Sequence, residues 1–103
     1  MSLVSKFSEA AEWGIADIVS YFDERSDGVS ERFHQAVGET VEMLCRSPNL
    51  GERFRADLTG QIRFRTISGF SNYLIFYRQV DTVLEILRVL HGARDYEDLF
   101  DCD

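Results

Sequence analysis

The sequence has few of the residues from which small domains build metal centres or disulfide frameworks. Its two cysteines, Cys45 and Cys102, are far apart and form no CxxC spacing, and its two histidines, His34 and His91, do not complete a four-ligand zinc site. Glycine-rich phosphate loops and GxSxG nucleophile motifs are also absent from the sequence. We therefore expect no metal and no cofactor, and we interpret Cys45 as a small core residue.

Long apolar runs and low-complexity segments are missing as well. No stretch approaches the ~20 apolar residues that span a bilayer, and the chain has one proline. The N-terminus lacks the basic start, apolar core and small-residue cleavage site of a signal peptide. A chain of 103 residues is long enough to bury its own core, so residues 1–103 are predicted to form a single cytoplasmic domain with no membrane contact.

The formal net charge of −7 is unevenly distributed along the chain. Residues 1–52 contain four basic and ten acidic side chains, residues 53–94 contain seven arginines and three acids, and residues 95–103 contain five acids and no base. A nonspecific nucleic-acid binder is expected to be basic overall. Any contact with a polyanion must therefore be local to the arginine-rich segment. Alternatively, these arginines only keep one face of a sheet in contact with solvent.

Apolar spacing of three and four residues predicts two helices in the first half of the chain. A short strand is predicted at 3–7, and Ser8 is a predicted N-cap for a helix that ends near Asp23–Ser26. Asp27–Gly28 reads as a turn, with Ser26 or Asp27 capping a second helix that starts at Val29 and ends before Pro48. The short link between the two helices predicts an antiparallel hairpin.

The second half of the chain changes to strand-like patterns. Ile62–Ile67 alternates with period two, 73–77 is a continuous apolar and aromatic run typical of a central strand, and Val83–Leu90 is a third strand. Turns are predicted at 68–72 and 79–81, and one last helical turn at 95–100. Short links require antiparallel neighbours, so the class is α+β with a three-stranded antiparallel meander.

The segment from Leu44 to Arg94 carries the most specific pattern in the chain. After the second helix it contains Ser47-Pro48 and Gly51, then Ile62-Arg63-Phe64-Arg65, then Tyr73-Leu74-Ile75-Phe76-Tyr77-Arg78, and finally Arg88-Val89-Leu90-His91-Gly92-Ala93-Arg94-Asp95. In this order the motifs resemble toxins of the ParE/RelE superfamily, and the last octet is most similar to the ParE branch. The helical hairpin fits as well, so the resemblance covers nearly the whole chain.

The resemblance implies a fold, a partner and a target. The fold is an N-terminal short strand and an α-helical hairpin packed on a small antiparallel β-sheet, and the partner is a ParD- or RelB-like antitoxin that wraps the groove between hairpin and sheet. The ParE branch implies inhibition of DNA gyrase, whereas the RelE branch implies ribosome-dependent cleavage of mRNA. An inactive homologue that still binds an antitoxin is a third alternative. Exposed partner-binding surface also predicts a homodimer or a hetero-oligomer with the antitoxin.

The nuclease alternative requires a base, phosphate neutralisation and a proton donor. By resemblance, Arg65 and Arg94 match basic residues of RelE, and His91 is a candidate base because imidazole exchanges protons near neutral pH. A locally packed ring is the favoured interpretation of His91. The tyrosine of the nuclease pattern would fall near Leu99 or Phe100, and neither has a hydroxyl. We therefore favour the ParE-like activity, which needs no catalytic residue.

The residues predicted to bind a target or an antitoxin combine exposed arginines with one tryptophan. They are Trp13, Arg53, Arg55, Arg63, Arg65, Arg78, Arg88, His91 and Arg94. Trp13 lies off the apolar stripe of the first helix, where it either anchors a partner or covers an edge of the hairpin. Arg88 is either a groove residue or an ion-pair partner of Glu85 or of a helix acid.

Overall fold

The computed structural model describes residues 2–25, 28–57 and 60–92, with only the backbone of Asp57. Along the chain the elements are β1 (Val4–Phe7), α1 (Glu9–Arg25), α2 (Val29–Arg46), a short 3-10 helix (Pro48–Leu50), β2 (Glu52–Asp57), β3 (Gly60–Ile67), β4 (Phe70–Val80) and β5 (Val83–His91). Two helices and one sheet confirm the predicted α+β class. The helical turn predicted at 95–100 lies outside the described residues.

Ser8 begins α1 and ties the helix to the sheet. Its hydroxyl oxygen accepts a hydrogen bond from the Ala11 amide at 3.0 Å, which confirms the predicted N-cap. The same hydroxyl donates to the carbonyl of Leu87 at 2.8 Å, and the Ser8 amide donates to the carbonyl of Ile86 at 2.9 Å. The start of α1 is therefore held against β5 by both side-chain and backbone hydrogen bonds.

The second helix begins at a glycine and ends where the proline predicted. Gly28, with φ of 79°, occupies the N-cap position and supplies no side-chain cap. The predicted caps, Ser26 and Asp27, lie outside the described residues. The helix ends at Arg46, two residues before Pro48.

Thr40 joins the middle of α2 to the sheet. Its hydroxyl is buried, donates to the carbonyl of Ala36 at 2.8 Å and accepts from the amide of Ser68 at 3.1 Å. Ser68 lies in the turn between β3 and β4. The turn is therefore fixed against the helix by a buried polar contact, which is costly to lose once water is excluded.

The five strands form one mixed sheet in the order β1-β5-β4-β3-β2. The antiparallel meander β3-β4-β5 is present as predicted. The strand predicted at the N-terminus is also present, but it pairs parallel to β5, with Val4 opposite Val83 and Phe7 opposite Ile86. The sheet is therefore not purely antiparallel. Parallel neighbours need a long crossover, and here the hairpin and the other strands supply it.

The sequence-based prediction missed β2. Its sequence ERFRAD has only two apolar residues, and Glu52, Arg53 and Arg55 are exposed. The strand forms the far edge of the sheet, where charged side chains are common because they discourage pairing with other chains. A bulge between Arg53 and Arg55 further interrupts the pairing with β3. Pairing with β3, rather than a local apolar pattern, defines this strand.

The turns between the meander strands are shorter than predicted. Between β3 and β4 only Ser68 and Gly69 remain, and Gly69 has φ of 79°. Between β4 and β5 the turn is Asp81–Thr82, with Asp81 at φ 54°. Polar residues at both ends of β4 were predicted as turn, yet cross-strand pairing extends through them, since Val80 still lies opposite Val83.

Both faces of the sheet carry hydrophobic clusters. The larger cluster lies between the sheet and the helices, and its side chains from α2 and the two central strands include Phe33, Leu44, Ile75, Tyr77 and Ile86, all nearly inaccessible. On the opposite face, here called the open face, Phe54, Phe64, Phe76, Ile62, Leu74, Leu87 and Leu90 form a second cluster. The continuous apolar run of β4 reflects burial on both faces, because successive strand residues alternate between them.

A glycine allows α1 to lie directly on β5. A Cβ atom at Gly14 would be 2.2 Å from the carbonyl oxygen of Val89, closer than any side chain tolerates. β1 covers β5 only from Val83 to Ile86, so the later part of that strand edge is left to the helix. The missing side chain therefore sets how closely helix and strand approach.

No helix in the described ranges is long and apolar enough to cross a membrane.

Gly14→Ala is expected to destabilise the protein by about 1–3 kcal/mol, because the added methyl group must displace helix or strand. The matched control is Gly38→Ala, also inside a helix, where an added Cβ meets no atom within 4 Å. That control is expected to stabilise the protein by about 0.5–1 kcal/mol through helix propensity. Urea unfolding of both variants measures the difference, and equal stability of the two would contradict the close contact.

Candidate functional site

A groove between α1 and β5 contains the most exposed large apolar side chain of the described part of the chain. The groove has a volume of about 690 Å³ and is lined by Trp13, Gly14, Asp17, Arg88 and Leu90, among others. Trp13 is 70% exposed. The helix supplies the tryptophan, and the strand edge left uncovered by β1 supplies the opposite wall.

Arg88 faces this groove rather than an ion-pair partner. Glu85, its suggested partner, instead accepts from Arg78 Nε at 2.8 Å, in a pair whose side chains are 20% and 28% exposed. Within the described ranges Arg88 makes no ion pair, although Asp17 lines the same groove. Arg88 and Trp13 thus both line one concave surface.

Three side chains from β3 and β4 hold the backbone between α2 and β2, and we call them the carbonyl clamp. Arg63 Nη1 donates to the carbonyl of Gly51 at 3.0 Å, and Arg65 Nη1 donates to that of Leu50 at 3.2 Å. The Tyr77 hydroxyl donates to the Pro48 carbonyl at 2.7 Å and accepts from the Gly51 amide at 2.8 Å. The clamp fixes residues 48–51 and, through them, the start of β2.

The environment of Tyr77 keeps its phenol protonated. Burial raises the pKa of Tyr77 above 10.0, and this effect outweighs the lowering by the Gly51 amide and by the charges of Arg63 and Arg65. The hydroxyl is therefore a lasting donor to Pro48. Arg63 and Arg65 lower the pKa of Tyr77 because their positive charges lie close to its hydroxyl.

Arg53 and Arg55 lie on different faces of the edge strand because of the bulge between them. Arg53 is directly opposite Arg63, and Arg55 is directly opposite Ile62 of the open face. The guanidinium of Arg55 lies 5.6 Å from the ring centroid of Phe54. Arg53 therefore joins the clamp arginines, whereas Arg55 borders the aromatic cluster of the open face.

That aromatic cluster was not singled out from the sequence. Phe76 packs against Phe54 and Phe64 with ring centroids 5.2 and 5.5 Å apart. Phe76 is almost fully buried, and the other two rings are half-buried. Apolar and basic residues alternate in β3, which predicted an apolar face containing Ile62 and Phe64. Phe54 could not be placed on that face because β2 was not predicted.

The nuclease candidates within the described ranges do not converge on one point. Arg65 is engaged with Leu50, while the His91 ring packs edge-on against Tyr73 with centroids 5.0 Å apart. Arg65 lies on β3 and His91 on β5, so their backbones are separated by two strand spacings, about 10 Å. Buried Ile75 and Tyr73 of β4 stand between them. Arg94 lies outside the described residues.

Other reactive groups of the described chain lie apart from these surfaces. Cys45 is buried, and burial, followed by the nearby Glu42 carboxylate, raises the pKa of its thiol. The raised pKa keeps the sulfur in its unreactive protonated form. Among the residues that the structure describes, no three His, Cys, Asp or Glu side chains are grouped so that they could hold a metal ion.

Comparison with known proteins identifies one family and related folds. Residues 6–96 match the family model described as ParE toxin of type II toxin–antitoxin system, parDE. A structure of a chromosomal ParDE toxin–antitoxin system from P. aeruginosa is similar, with a TM-score of 0.70 and 18% identity over 87% of this chain and 96% of that one. The toxin–antitoxin complex RelBE2 from Mycobacterium tuberculosis is similar with a TM-score of 0.61 and 24% identity, over 88% of this chain and 99% of that one. No curated protein sequence matches.

Tyr77→Phe is expected to lower the free energy of unfolding by about 1–3 kcal/mol, because the Pro48 carbonyl and Gly51 amide both lose a buried partner. The pKa of Tyr77 is raised on folding, so the contribution of its hydroxyl is complete below about pH 10 and shrinks as the pH rises beyond that. Urea unfolding between pH 7 and pH 11 measures both effects.

The control for this variant is Tyr21→Phe, which removes a hydroxyl from a ring that is 37% exposed. Its effect is expected to stay within about 0.5 kcal/mol. A Tyr77→Phe protein as stable as the control would mean that the clamp contributes nothing to the fold.

Proposed function

Since this chain belongs to the family of ParE toxins of type II toxin–antitoxin systems, we propose that it arrests growth by binding DNA gyrase and that a cognate ParD-like antitoxin neutralises it. The action is that of a binding protein without catalytic chemistry. Both steps belong to the cytoplasm, where gyrase works. A cell that lost a plasmid carrying the antitoxin gene would no longer replace its antitoxin, and growth arrest by the remaining toxin would account for plasmid stabilisation.

The observation that carries the proposal is the groove that brings Trp13 and Arg88 together. Tryptophan and arginine are the residues most enriched among those that dominate the energy of protein–protein interfaces. An indole that is 70% exposed leaves much apolar surface in contact with water, and burial of that surface by a protein partner would favour binding. A concave wall of helix and strand edge also suits insertion of a protein segment better than cleavage of a nucleic acid.

The arrangement of the nuclease candidates supports a non-enzymatic action. In the part of the chain that the structure describes, the one histidine of β5 packs on Tyr73 and Arg65 hydrogen-bonds to the backbone. General acid–base catalysis needs such groups within hydrogen-bonding reach of one substrate proton. Two strand spacings and a buried core between Arg65 and His91 make joint action on one phosphodiester unfavourable.

The resemblance implied an antitoxin in the groove between hairpin and sheet, but we propose a second groove, on the outer side of the helical hairpin, as its seat. It has a volume of about 630 Å³, and its apolar floor includes Phe7, Ile15, Val19 and Val37. Glu12 and Asp23 lie on its rim. An amphipathic helix with basic flanking residues would complement this groove in both apolarity and charge. The two similar structures are described as toxin–antitoxin complexes, which supports a hetero-oligomer here.

Trp13→Ala is expected to weaken gyrase inhibition at least tenfold, because interface tryptophans commonly contribute about 2 kcal/mol or more. The assay is supercoiling of relaxed plasmid by purified gyrase, with antitoxin-free protein titrated in. Arg88→Gln is expected to act in the same direction. The control is Arg32→Gln, which removes an exposed charge from α2 and should leave inhibition unchanged.

A ribosome-plus-mRNA cleavage reaction run beside this assay decides between the alternatives. Inhibited supercoiling with intact mRNA supports the proposal. Active gyrase with codon-positioned mRNA cuts would overturn it in favour of a RelE-like nuclease. Silence in both reactions, with the antitoxin still bound, would identify an inactive homologue.

Gly38→Arg is expected to reduce neutralisation by the antitoxin at least tenfold while leaving gyrase inhibition intact. Gly38 lines the hairpin groove, and a Cβ atom added there meets no atom within 4 Å, so the new arginine is expected to extend into the groove without disturbing the fold. It would also place a positive charge where a basic helix is expected to bind. Restored supercoiling at increasing antitoxin concentration measures the effect.

The matched control is Gln35→Arg, which adds the same charge to an exposed position of α2 outside the groove lining. Equal neutralisation of Gly38→Arg and this control would place the antitoxin elsewhere on the toxin.

A further inference from the structure

Three arginines gather on β2 and β3, the last two strands at one edge of the sheet, away from both grooves described above. Arg53 of β2 lies directly opposite Arg63 of β3, and Arg65 follows two residues later on the same face. Directly opposite residues in antiparallel strands have Cβ atoms about 5 Å apart, and residues two positions apart in a strand are about 7 Å apart. The three guanidinium groups therefore share one small region of the surface, here called the arginine corner.

None of the three corner arginines forms an ion pair with a carboxylate in the described ranges. The ion pairs of that part of the chain involve Arg25, Arg46 and Arg78. Glu52 lines the cavity beside Arg65 but lies opposite Phe64, and it forms no ion pair there. Like charges placed directly opposite each other destabilise a sheet. The fold thus tolerates an unfavourable arrangement that an anionic ligand would relieve.

The clamp holds two of these guanidinium groups in place before any ligand binds. Arg63 and Arg65 each use an Nη1 donor on a backbone carbonyl, at 3.0 and 3.2 Å. A guanidinium has five N–H donors, so each retains donors for an anion. Fixing a long side chain in advance lowers the entropy lost on binding, which favours affinity.

The cavities beside these arginines have the size of a side chain. Arg63, together with Asn49, Gln61 and Gln79, lines a cavity of about 140 Å³. Arg65, together with Leu50, Glu52 and Thr66, lines one of about 240 Å³. Both are smaller than the roughly 300 Å³ at which pockets for small molecules begin. A carboxylate side chain fits such a space, and the side-chain amide of Asn49 is a suitable further donor, whereas a nucleotide does not fit.

Charge also favours a short acidic peptide over a nucleic acid. The chain carries a formal net charge of −7, which repels a long polyanion as it approaches. A short segment with a few carboxylates experiences less of this repulsion. Guanidinium groups pair with carboxylates through two parallel hydrogen bonds, which gives the contact direction as well as strength.

We propose that the arginine corner binds a short acidic segment of a partner protein, seating one carboxylate at Arg63 and a second at Arg65, with Arg53 closing the outer side. This inference concerns a surface apart from the Trp13 groove and the hairpin groove. It stands or falls independently of gyrase as the target.

The test measures binding of a fluorescein-labelled hexaglutamate peptide to the full chain by fluorescence anisotropy at low salt. Arg53→Gln and Arg65→Gln are each expected to raise Kd at least fivefold, and Arg63→Lys, which keeps the charge but loses the planar fork, is expected to do so as well. Arg32→Gln removes the same charge from α2 and should change Kd less than twofold. Hexaglutamine is expected not to bind.

A labelled hexathymidylate strand and amide NMR spectra complete the test. Hexaglutamate is expected to bind more tightly than hexathymidylate and to shift the side-chain amide signals of Asn49. Tighter binding of hexathymidylate would overturn the proposal in favour of a phosphate site. Equal weakening by all arginine variants, Arg32→Gln included, would overturn it by showing nonspecific attraction, and so would no binding of hexaglutamate. Far-UV circular dichroism and urea unfolding verify that each variant is folded.

Discussion

The contact between Gly14 and the carbonyl oxygen of Val89 determines where α1 lies on the sheet. A side chain at that position would push the helix outward and open the core beneath it, since cores are packed too densely to absorb such a shift. The Ser8 cap fixes the start of the same helix to β5 through Leu87 and Ile86. Because α1 is fixed at Ser8 and at Gly14, Trp13 lines the same groove as Arg88.

The burial of β4 on both faces explains how a short chain supports three separate surfaces. Tyr77 and Ile75 pack under the helices, while Phe76 anchors the aromatic cluster of the open face. Because the central strand is buried on both faces, its neighbours can carry exposed or charged residues while the core stays covered. The clamp depends on this burial, since the Tyr77 ring lies in the core and its hydroxyl positions residues 48–51.

Charge is divided between the two layers of the molecule. The helical hairpin is acidic, and Glu12 and Asp23 border its groove. Six arginines lie on the sheet, where Arg78 is paired with Glu85 but Arg53 and Arg88 have no acidic partner among the described residues. The hairpin and the sheet are therefore suited to partners of opposite charge.

The elements and family of this protein were predictable from the sequence, because helical spacing, the Ser8 cap, Pro48 and the alternation in β3 and β4 are local signals. The ordered motifs from Leu44 to Arg94 likewise predicted the family that residues 6–96 match. What local pattern could not predict is the pairing of edge strands. β2 has little apolar pattern, so only hydrogen bonding to β3 defines it. β1 was predicted as a strand, but its parallel pairing with β5 was not.

The composition of the candidate surfaces was likewise decided by tertiary structure. The sequence indicated which arginines and which tryptophan were candidates, but not that Arg63 and Arg65 would hydrogen-bond to the backbone while Arg88 faced a groove. Bulges in β2 and β5 change which face a side chain occupies, and they arise from pairing between strands rather than from alternation within one. The chain thus determined its elements by local chemistry, whereas packing of α1 and registry of the strands decided which residues share a surface.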